Sequence, residues 1–91
     1  MPASKEEAVE KARKDLSKRL GVADNQITEQ SVEDADFPDM ALGAGGKGEM
    51  SGQMITPGWR IKLNASGQTY EYRANKGQVR LYNYKGQNYL I

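Results

Sequence analysis

Apolar residues in the first part of the chain recur with the period of an α-helix. At spacings of one, three and four residues they form a single stripe: Ala8, Val9, Ala12, Leu16 and Leu20. Ser4 and Glu7 have the spacing of a capping box, and Gly21 follows the stripe, where a helix commonly ends. We therefore predict an amphipathic helix over about residues 5–20 that packs against the rest of the protein on one side.

The next apolar residues indicate an irregular strand from Gln26 to about Phe37. Ile27, Val32 and Phe37 are its apolar anchors. Because Ile27 and Val32 are separated by an odd number of residues, a regular strand would place them on opposite faces. A β-bulge between them is the simplest way to reconcile their spacing with a single buried face.

From Trp59 onward, apolar and polar residues alternate with the period of two that is typical of half-buried strands. One face is predicted to hold Trp59, Ile61 and Leu63, and the other Arg60, Lys62 and Asn64. Turn-forming residues at 64–67 and 75–77 divide this region into an antiparallel meander over about residues 54–84. Residues 88–91 form either a short further strand or an extended end along the sheet edge, and the pattern favours neither.

These elements predict an α+β fold in a single domain that spans residues 1–91. The N-terminal helix packs on one face of an antiparallel sheet of three or four strands, and a long Gly-rich loop joins the first and second strands. Because one helix covers only one sheet face, we expect the other face to be open to water or to a partner. The side chains of that face are Arg60, Lys62, Glu71, Arg73, Arg80, Tyr82 and Tyr84.

Residues 38–53 are the least ordinary stretch, because they contain five glycines and show no periodicity. Loops of this length are uncommon in compact domains and are usually functional or disordered. Met40, Leu42 and Met50 indicate that parts of the loop dock on an apolar surface, which belongs either to this domain or to a partner. Together with Lys47 they are the candidate partner-binding residues. A mobile connector is the other interpretation of the loop.

The formal net charge of +1 conceals an uneven distribution of charge along the chain. Residues 21–49 carry seven acidic side chains and one basic, and residues 50–91 carry one acidic and six basic. The two groups either neutralise each other across adjacent strands or leave a basic face for an anionic partner. The second interpretation gives an alternative function, the binding of a polyanion or single-stranded nucleic acid. Its candidate residues are Arg60, Lys62, Arg73, Arg80, Tyr82 and Tyr84.

The composition offers little for catalysis or for metal binding. The chain has no Cys and no His, which excludes disulfides, thiolate metal sites and two of the commonest catalytic side chains. Gly48 follows Lys47 at the position where a phosphate-binding loop needs Ser or Thr. EF-hand spacing is absent from the acidic group Glu33, Asp34, Asp36 and Asp39. We therefore expect no enzyme activity, no cofactor and no metal site.

Three short motifs in fixed order resemble those of a family of small, largely uncharacterised bacterial domains. They are Phe37-Pro38-Asp39 followed by Leu42-Gly43, then Thr56-Pro57-Gly58-Trp59-Arg60-Ile61, then Tyr70-Glu71-Tyr72-Arg73. With the preceding helix and acidic strand, the resemblance covers about residues 8–74. The chain departs from the family's pattern at Ala44 and Arg73, where members usually carry Cys and His, so no role of those residues is carried over.

The resemblance implies a location in the cell envelope or outside the cell, because such domains are often exported or lipid-anchored. Residues 1–4 lack the apolar stretch of a signal peptide, and no apolar run is long enough to span a membrane. The order of helix and meander is also similar to that of PepSY-type domains, which accompany secreted proteases and are thought to restrain them. These points favour a monomeric, non-catalytic domain that binds a protein, for example a peptidase, through the 38–53 loop and the neighbouring strand edge.

Overall fold

The computed structural model describes residues 4–45 and 52–91, which contain one α-helix followed by five antiparallel strands. The elements are α1 (Lys5–Leu20), a short 3-10 helix (Asp24–Gln26), β1 (Ile27–Phe37), β2 (Thr56–Ala65), β3 (Gln68–Asn75), β4 (Gln78–Tyr84) and β5 (Gln87–Leu90). The strands lie side by side in chain order, with β1 and β5 at the two edges of the sheet. The predicted α+β fold is confirmed, with one strand more than the upper estimate from the sequence.

The ends of α1 are those that the sequence predicted. At the first turn the Glu7 amide donates to the Ser4 hydroxyl over 3.2 Å, which satisfies one of the amide groups that a helix start leaves without a partner. At the last turn Gly21 adopts a left-handed conformation with φ 68°, and its amide donates to the Ser17 carbonyl over 2.9 Å. Glycine accepts this conformation without the steric cost that a Cβ brings.

The main core lies between α1 and one face of the sheet. It consists of four helix residues, Ala8, Val9, Ala12 and Leu16, and eight sheet residues, Ile27, Ile61, Leu63, Ala65, Tyr72, Ala74, Val79 and Leu81. Tyr72 is fully buried, and its hydroxyl donates to the Asp15 carboxylate of the helix over 2.7 Å. Arg19 donates to the same carboxylate over 2.7 Å. This polar bridge ties the end of the helix to the centre of the sheet.

A bulge interrupts β1, as the spacing of its apolar residues predicted. The register of β1 against β2 shifts between Glu29 and Ser31, so that Gln30 is the extra residue. The shift brings Ile27 opposite Ala65 and Val32 opposite Ile61, both on the helix side. After the bulge the register is unbroken to the end of the strand, and Phe37, five residues beyond Val32, belongs to the opposite face.

A second irregularity lies in β4 and corrects the predicted position of Tyr84. Asn83 has φ 54°, and the register of β4 against β5 shifts between Leu81 and Tyr84. Tyr84 therefore turns to the helix side, where its ring lies 6.0 Å from the ring of Tyr70 and under the guanidinium of Arg19. The prediction that it shares a face with Tyr82 is wrong. Of the two alternatives for residues 88–91, the structure has the short strand, β5.

Candidate partner-binding surface

The first half of the Gly-rich loop folds back over the sheet face opposite the helix. We call residues 38–45 the cover segment. Ala41, Leu42 and Ala44 are at most 1% exposed, and Phe37, directly before them, is 1% exposed. The sheet therefore has an apolar layer on both faces, a larger one under α1 and a smaller one under the cover segment.

The Asp39 carboxylate sets the turn on which the cover segment depends. It accepts hydrogen bonds from the amides of Ala41 and Gly43, each over 2.9 Å, which is how Asp commonly stabilises a turn of its own backbone. Gly43 has φ 66°, and a Cβ at this position would lie 2.7 Å from Nη1 of Arg73. Glycine is thus needed here both for its backbone angle and for the close approach of an arginine.

Side chains of the last three strands hold the cover segment through its carbonyl groups. The hydrogen bonds run from Gln78 to Met40 (2.7 Å), from Arg73 to Leu42 (3.1 Å), from Arg80 to Ala44 (3.4 Å) and from Asn88 to Gly45 (3.0 Å). Three of the four carbonyls belong to every second residue of the segment, namely Met40, Leu42 and Ala44. The turns of the cover segment lie against polar side chains here, and β3, β4 and β5 all contribute to its position.

Arg73 connects the cover segment to the sheet through several contacts. Besides its bond to the Leu42 carbonyl, its Nε donates to the Glu71 carboxylate over 2.7 Å. Its guanidinium carbon lies 3.6 Å from the centroid of the Tyr82 ring and 5.3 Å from that of Phe37. Such stacking of a cation on aromatic faces is favourable, most of all where water is excluded. Arg73 acts as an internal crosslink rather than as a surface charge.

The prediction of an open basic face is therefore wrong for Arg73 and Arg80. The side chain of Arg73 is 13% exposed and Arg80 is 6% exposed, because the cover segment lies over them. Leu42 docks on its own domain, the first of the two alternatives that the sequence left open. Arg60 and Lys62 remain half-exposed on this face, and Arg60 lies 3.4 Å from the Glu71 carboxylate.

Exposed apolar side chains surround the base of the Gly-rich loop. Met40 is 51% exposed, Met54 65% and Ile55 70%. The Met40 amide donates to the Gly52 carbonyl over 3.0 Å, which joins the two ends of the loop and brings these side chains to one region. We call Met40, Met54 and Ile55 the loop-base patch. The other predicted loop residues, Lys47 and Met50, lie outside the described residues.

A groove begins where the loop-base patch ends. It has a volume of about 600 Å³, a mainly apolar lining and a half-buried Trp59 among its walls. Thr56 and Pro57 continue from Ile55 into the groove. The residues that line it are Asp34, Ala35, Asp36, Thr56, Pro57, Gly58, Trp59, Asn75, Lys76 and Gly77. Sequence reasoning missed this groove, because the alternation of β2 indicated that Trp59 is buried but not that its environment is open at one end.

A protein-family model matches most of the chain. Residues 9–82 match the family described as "Domain of unknown function (DUF8738)". The chain belongs to this family. No curated protein and no solved structure matches the chain significantly.

The three segments that carried the resemblance all lie inside the range that matches the DUF8738 family, and they meet in space. Phe37 and the cover segment come from the first, Gly58 and Arg60 from the second, and Arg73 from the third. A Cβ at Gly58 would lie 2.3 Å from the Ala74 carbonyl oxygen and 3.2 Å from the Phe37 ring. Arg60 and Arg73 also lie near the Phe37 ring, at 5.8 and 5.3 Å, so residues from all three segments meet beside the cover segment.

The acidic side chains that the structure describes do not converge on one point. In residues 4–45 and 52–91, no three carboxylates come close enough together to hold a metal ion. The same residues contain no helix that is long and apolar enough to cross a membrane. The acidic residues of β1 instead follow the edge of the sheet, with Asp34 and Asp36 beside the groove.

Proposed function

We propose that this domain is a non-catalytic protein-binding module that contacts its partner through the loop-base patch and the adjoining groove. The observation that carries the proposal is the exposure of Met40, Met54 and Ile55 around a loop whose two ends are hydrogen-bonded together. Contiguous exposed apolar side chains on a soluble domain mark interaction sites more often than chance. Methionine suits such a surface, because its unbranched side chain adapts to the shape of a partner.

The position of the patch supports the same proposal. Its side chains stand on backbone that the sheet holds, since Met40 belongs to the cover segment and Ile55 leads directly into β2. A rigid base reduces the ordering cost of binding. The helix-before-meander order, which PepSY-type domains share, makes a peptidase the partner class that we would test first.

The experiment compares the proteins that bind to the wild-type domain with those that bind to a double variant and to a control variant. The tagged wild-type domain, the variant Met54→Ser/Ile55→Ser and the control variant Leu90→Ser are used to enrich proteins from the source organism's extract, and specific proteins are identified by mass spectrometry. Leu90 is a matched control because it is 63% exposed and apolar but lies on β5, at the opposite sheet edge.

We expect the control to retain the wild-type partners and the double variant to lose them. A photo-crosslinker at position 54 should then form a covalent adduct with the same partner, and one at position 90 should not. If all three proteins enrich the same set of partners, the loop-base patch has no part in binding and the proposal is wrong.

A further inference from the structure

The edge strand β1 offers backbone groups that no other part of the described chain uses. It lies at one edge of the sheet with β2 as its neighbour, and in the described residues no turn or loop backbone hydrogen-bonds to residues 28–37. From Ser31 to Phe37 its register is unbroken. Every second residue of this stretch therefore presents an N–H and a C=O group outward, in the arrangement that an additional strand would need.

The charge of β1 selects the kind of strand that can pair there. It carries Glu29, Glu33, Asp34 and Asp36, all exposed, and no basic residue. Among the described residues, only Asp34 of these four forms an ion pair, with Lys5 over 3.3 Å. Two copies of this edge would place like charges side by side, which destabilises pairing. A Lys- or Arg-rich strand would instead meet carboxylates along its length.

The groove lies on the side of the sheet that a basic strand would reach. Asp34 pairs across the sheet with Trp59, and Asp36 with Pro57, so that both carboxylates stand between the outer edge and the groove. Neighbouring strands are about 4.8 Å apart. A long arginine side chain on an added strand can therefore pair with Asp34 and lay its guanidinium against the Trp59 ring, a contact for which Trp is the best aromatic partner.

We propose that β1 binds an extended, Arg- or Lys-rich segment of a partner protein as a sixth, edge strand, with basic side chains against Asp34, Asp36 and the Trp59 groove. This inference rests on the proposed protein-binding function and names the chemistry of the partner. Backbone pairing supplies affinity in such complexes, and the side chains beside the edge supply selectivity.

The first test uses three synthetic ten-residue probes and the isotope-labelled full chain. One probe alternates Arg and Thr, and one alternates Glu and Thr. The third is the Arg–Thr peptide with an N-methyl group on every backbone nitrogen, which keeps its charge but removes the N–H donors that strand pairing needs. Chemical-shift changes report binding, and amide hydrogen exchange of residues 31–37 reports strand addition. We expect the Arg–Thr peptide alone to slow exchange in β1.

The second test removes charge at the edge and, as a control, elsewhere. Asp34→Asn/Asp36→Asn should weaken binding of the Arg–Thr peptide about tenfold, since each exposed ion pair contributes up to about 1 kcal/mol and 1.4 kcal/mol is tenfold. The control Asp24→Asn removes an exposed charge that lies before β1 begins, outside the pairing stretch 31–37, and should change affinity less than twofold. Each variant is checked for an unchanged amide spectrum outside the substituted sites.

Several results would overturn the inference. Equal binding by the N-methylated peptide would mean simple electrostatic adsorption, and shift changes centred on Lys62 and Tyr82 would mean binding at the other face. Protection of β1 amides without peptide, with a doubled mass in sedimentation, would mean self-association. If capture of the natural partner depends on Met54 and Ile55 but not on Asp34 and Asp36, the proposed function stands and this inference fails; dependence on neither pair contradicts both.

Discussion

Substituting Gly58 by alanine tests whether the close packing of β2 beneath the cover segment determines stability. Gly58 lies in β2, and a Cβ there would stand 2.3 Å from the Ala74 carbonyl oxygen and 3.2 Å from the Phe37 ring. The first of these atoms belongs to the backbone of β3, so it cannot move aside as the end of a side chain can. The neighbouring strand itself must shift to admit a methyl group.

The size of the effect follows from the overlap. Carbon and carbonyl oxygen in sheets approach to about 3.3–3.6 Å, so the two atoms must separate by roughly 1 Å. Forcing an extra carbon into a packed site costs about 1–3 kcal/mol. Replacing glycine also restricts the unfolded chain, which stabilises the folded protein by about 0.4–1 kcal/mol. We expect Gly58→Ala to lower the free energy of unfolding by about 1–2 kcal/mol.

The matched control is Gly77→Ala in the turn between β3 and β4. A Cβ there would meet nothing closer than the Asn75 side chain, at 3.5 Å, and Gly77 does not have a positive φ. Because both variants share the same effect on the unfolded chain, their difference isolates the steric cost. Urea unfolding followed by circular dichroism measures it, with the fluorescence of Trp59 as a second probe. A difference below about 0.5 kcal/mol would refute the argument from close packing.

Two further predictions concern the two faces of the sheet. Burial, and then the hydrogen bond to Asp15, raise the pKa of Tyr72 well above its ordinary value. Because the unfolded chain loses this proton first, wild-type stability should fall above about pH 10 by up to about 1.4 kcal/mol per pH unit. This fall should be missing in Tyr72→Phe when urea unfolding is followed from pH 8 to 11. Leu42→Ala should lower the free energy of unfolding by about 2–5 kcal/mol, since Leu42 is fully buried. Met40→Ala should lower it by less than about 1 kcal/mol, because Met40 is half-exposed. Equal effects of the two substitutions, in thermal or urea unfolding, would contradict the described docking of the cover segment.

The helix and the hairpins were predictable because their signals are local. Ser4, Gly21 and the stripe between them indicate the bounds of α1 without any tertiary contact. The alternation around Ile61 and the turn residues at 64–67 and 75–77 predict β2, β3 and β4 in the same way. The bulge at Gln30 could be predicted as well, since the odd spacing of two apolar residues leaves few other solutions.

The surroundings of Tyr84, Arg73 and Arg80 were harder to predict, because they depend on backbone angles and contacts at other positions of the chain. Tyr84 changes face because Asn83 has a positive φ. Asn adopts this conformation more readily than most residues, but an Asn in the sequence does not by itself predict it. Arg73 and Arg80 looked like surface cations, because no local pattern shows that carbonyls some thirty to forty residues earlier in the chain will lie above them. The groove likewise needs three separate segments to meet.

The cover segment bears on the alternative function, binding of nucleic acid or another polyanion at the sheet face beneath it. Exposing Arg73 and Arg80 to such a ligand requires that the segment leave the sheet. Burial of Leu42 alone contributes about 1.5–3 kcal/mol, and each of the four hydrogen bonds to the segment contributes about 0.5–1.5 kcal/mol. Displacement therefore costs on the order of 5 kcal/mol, which would lower apparent affinity more than a thousandfold.

The loop-base patch and the β1 edge carry no comparable cost, because both are exposed in the structure as it stands. A polyanion would also meet four carboxylates along β1, whereas a basic strand would find them complementary. Salt dependence separates these cases. Binding of the Arg–Thr peptide should weaken with rising salt and protect β1 amides, while single-stranded DNA should leave the spectrum unchanged at 50 mM salt. Tight DNA binding with exposed cover-segment amides would show that the estimated cost of displacement is wrong.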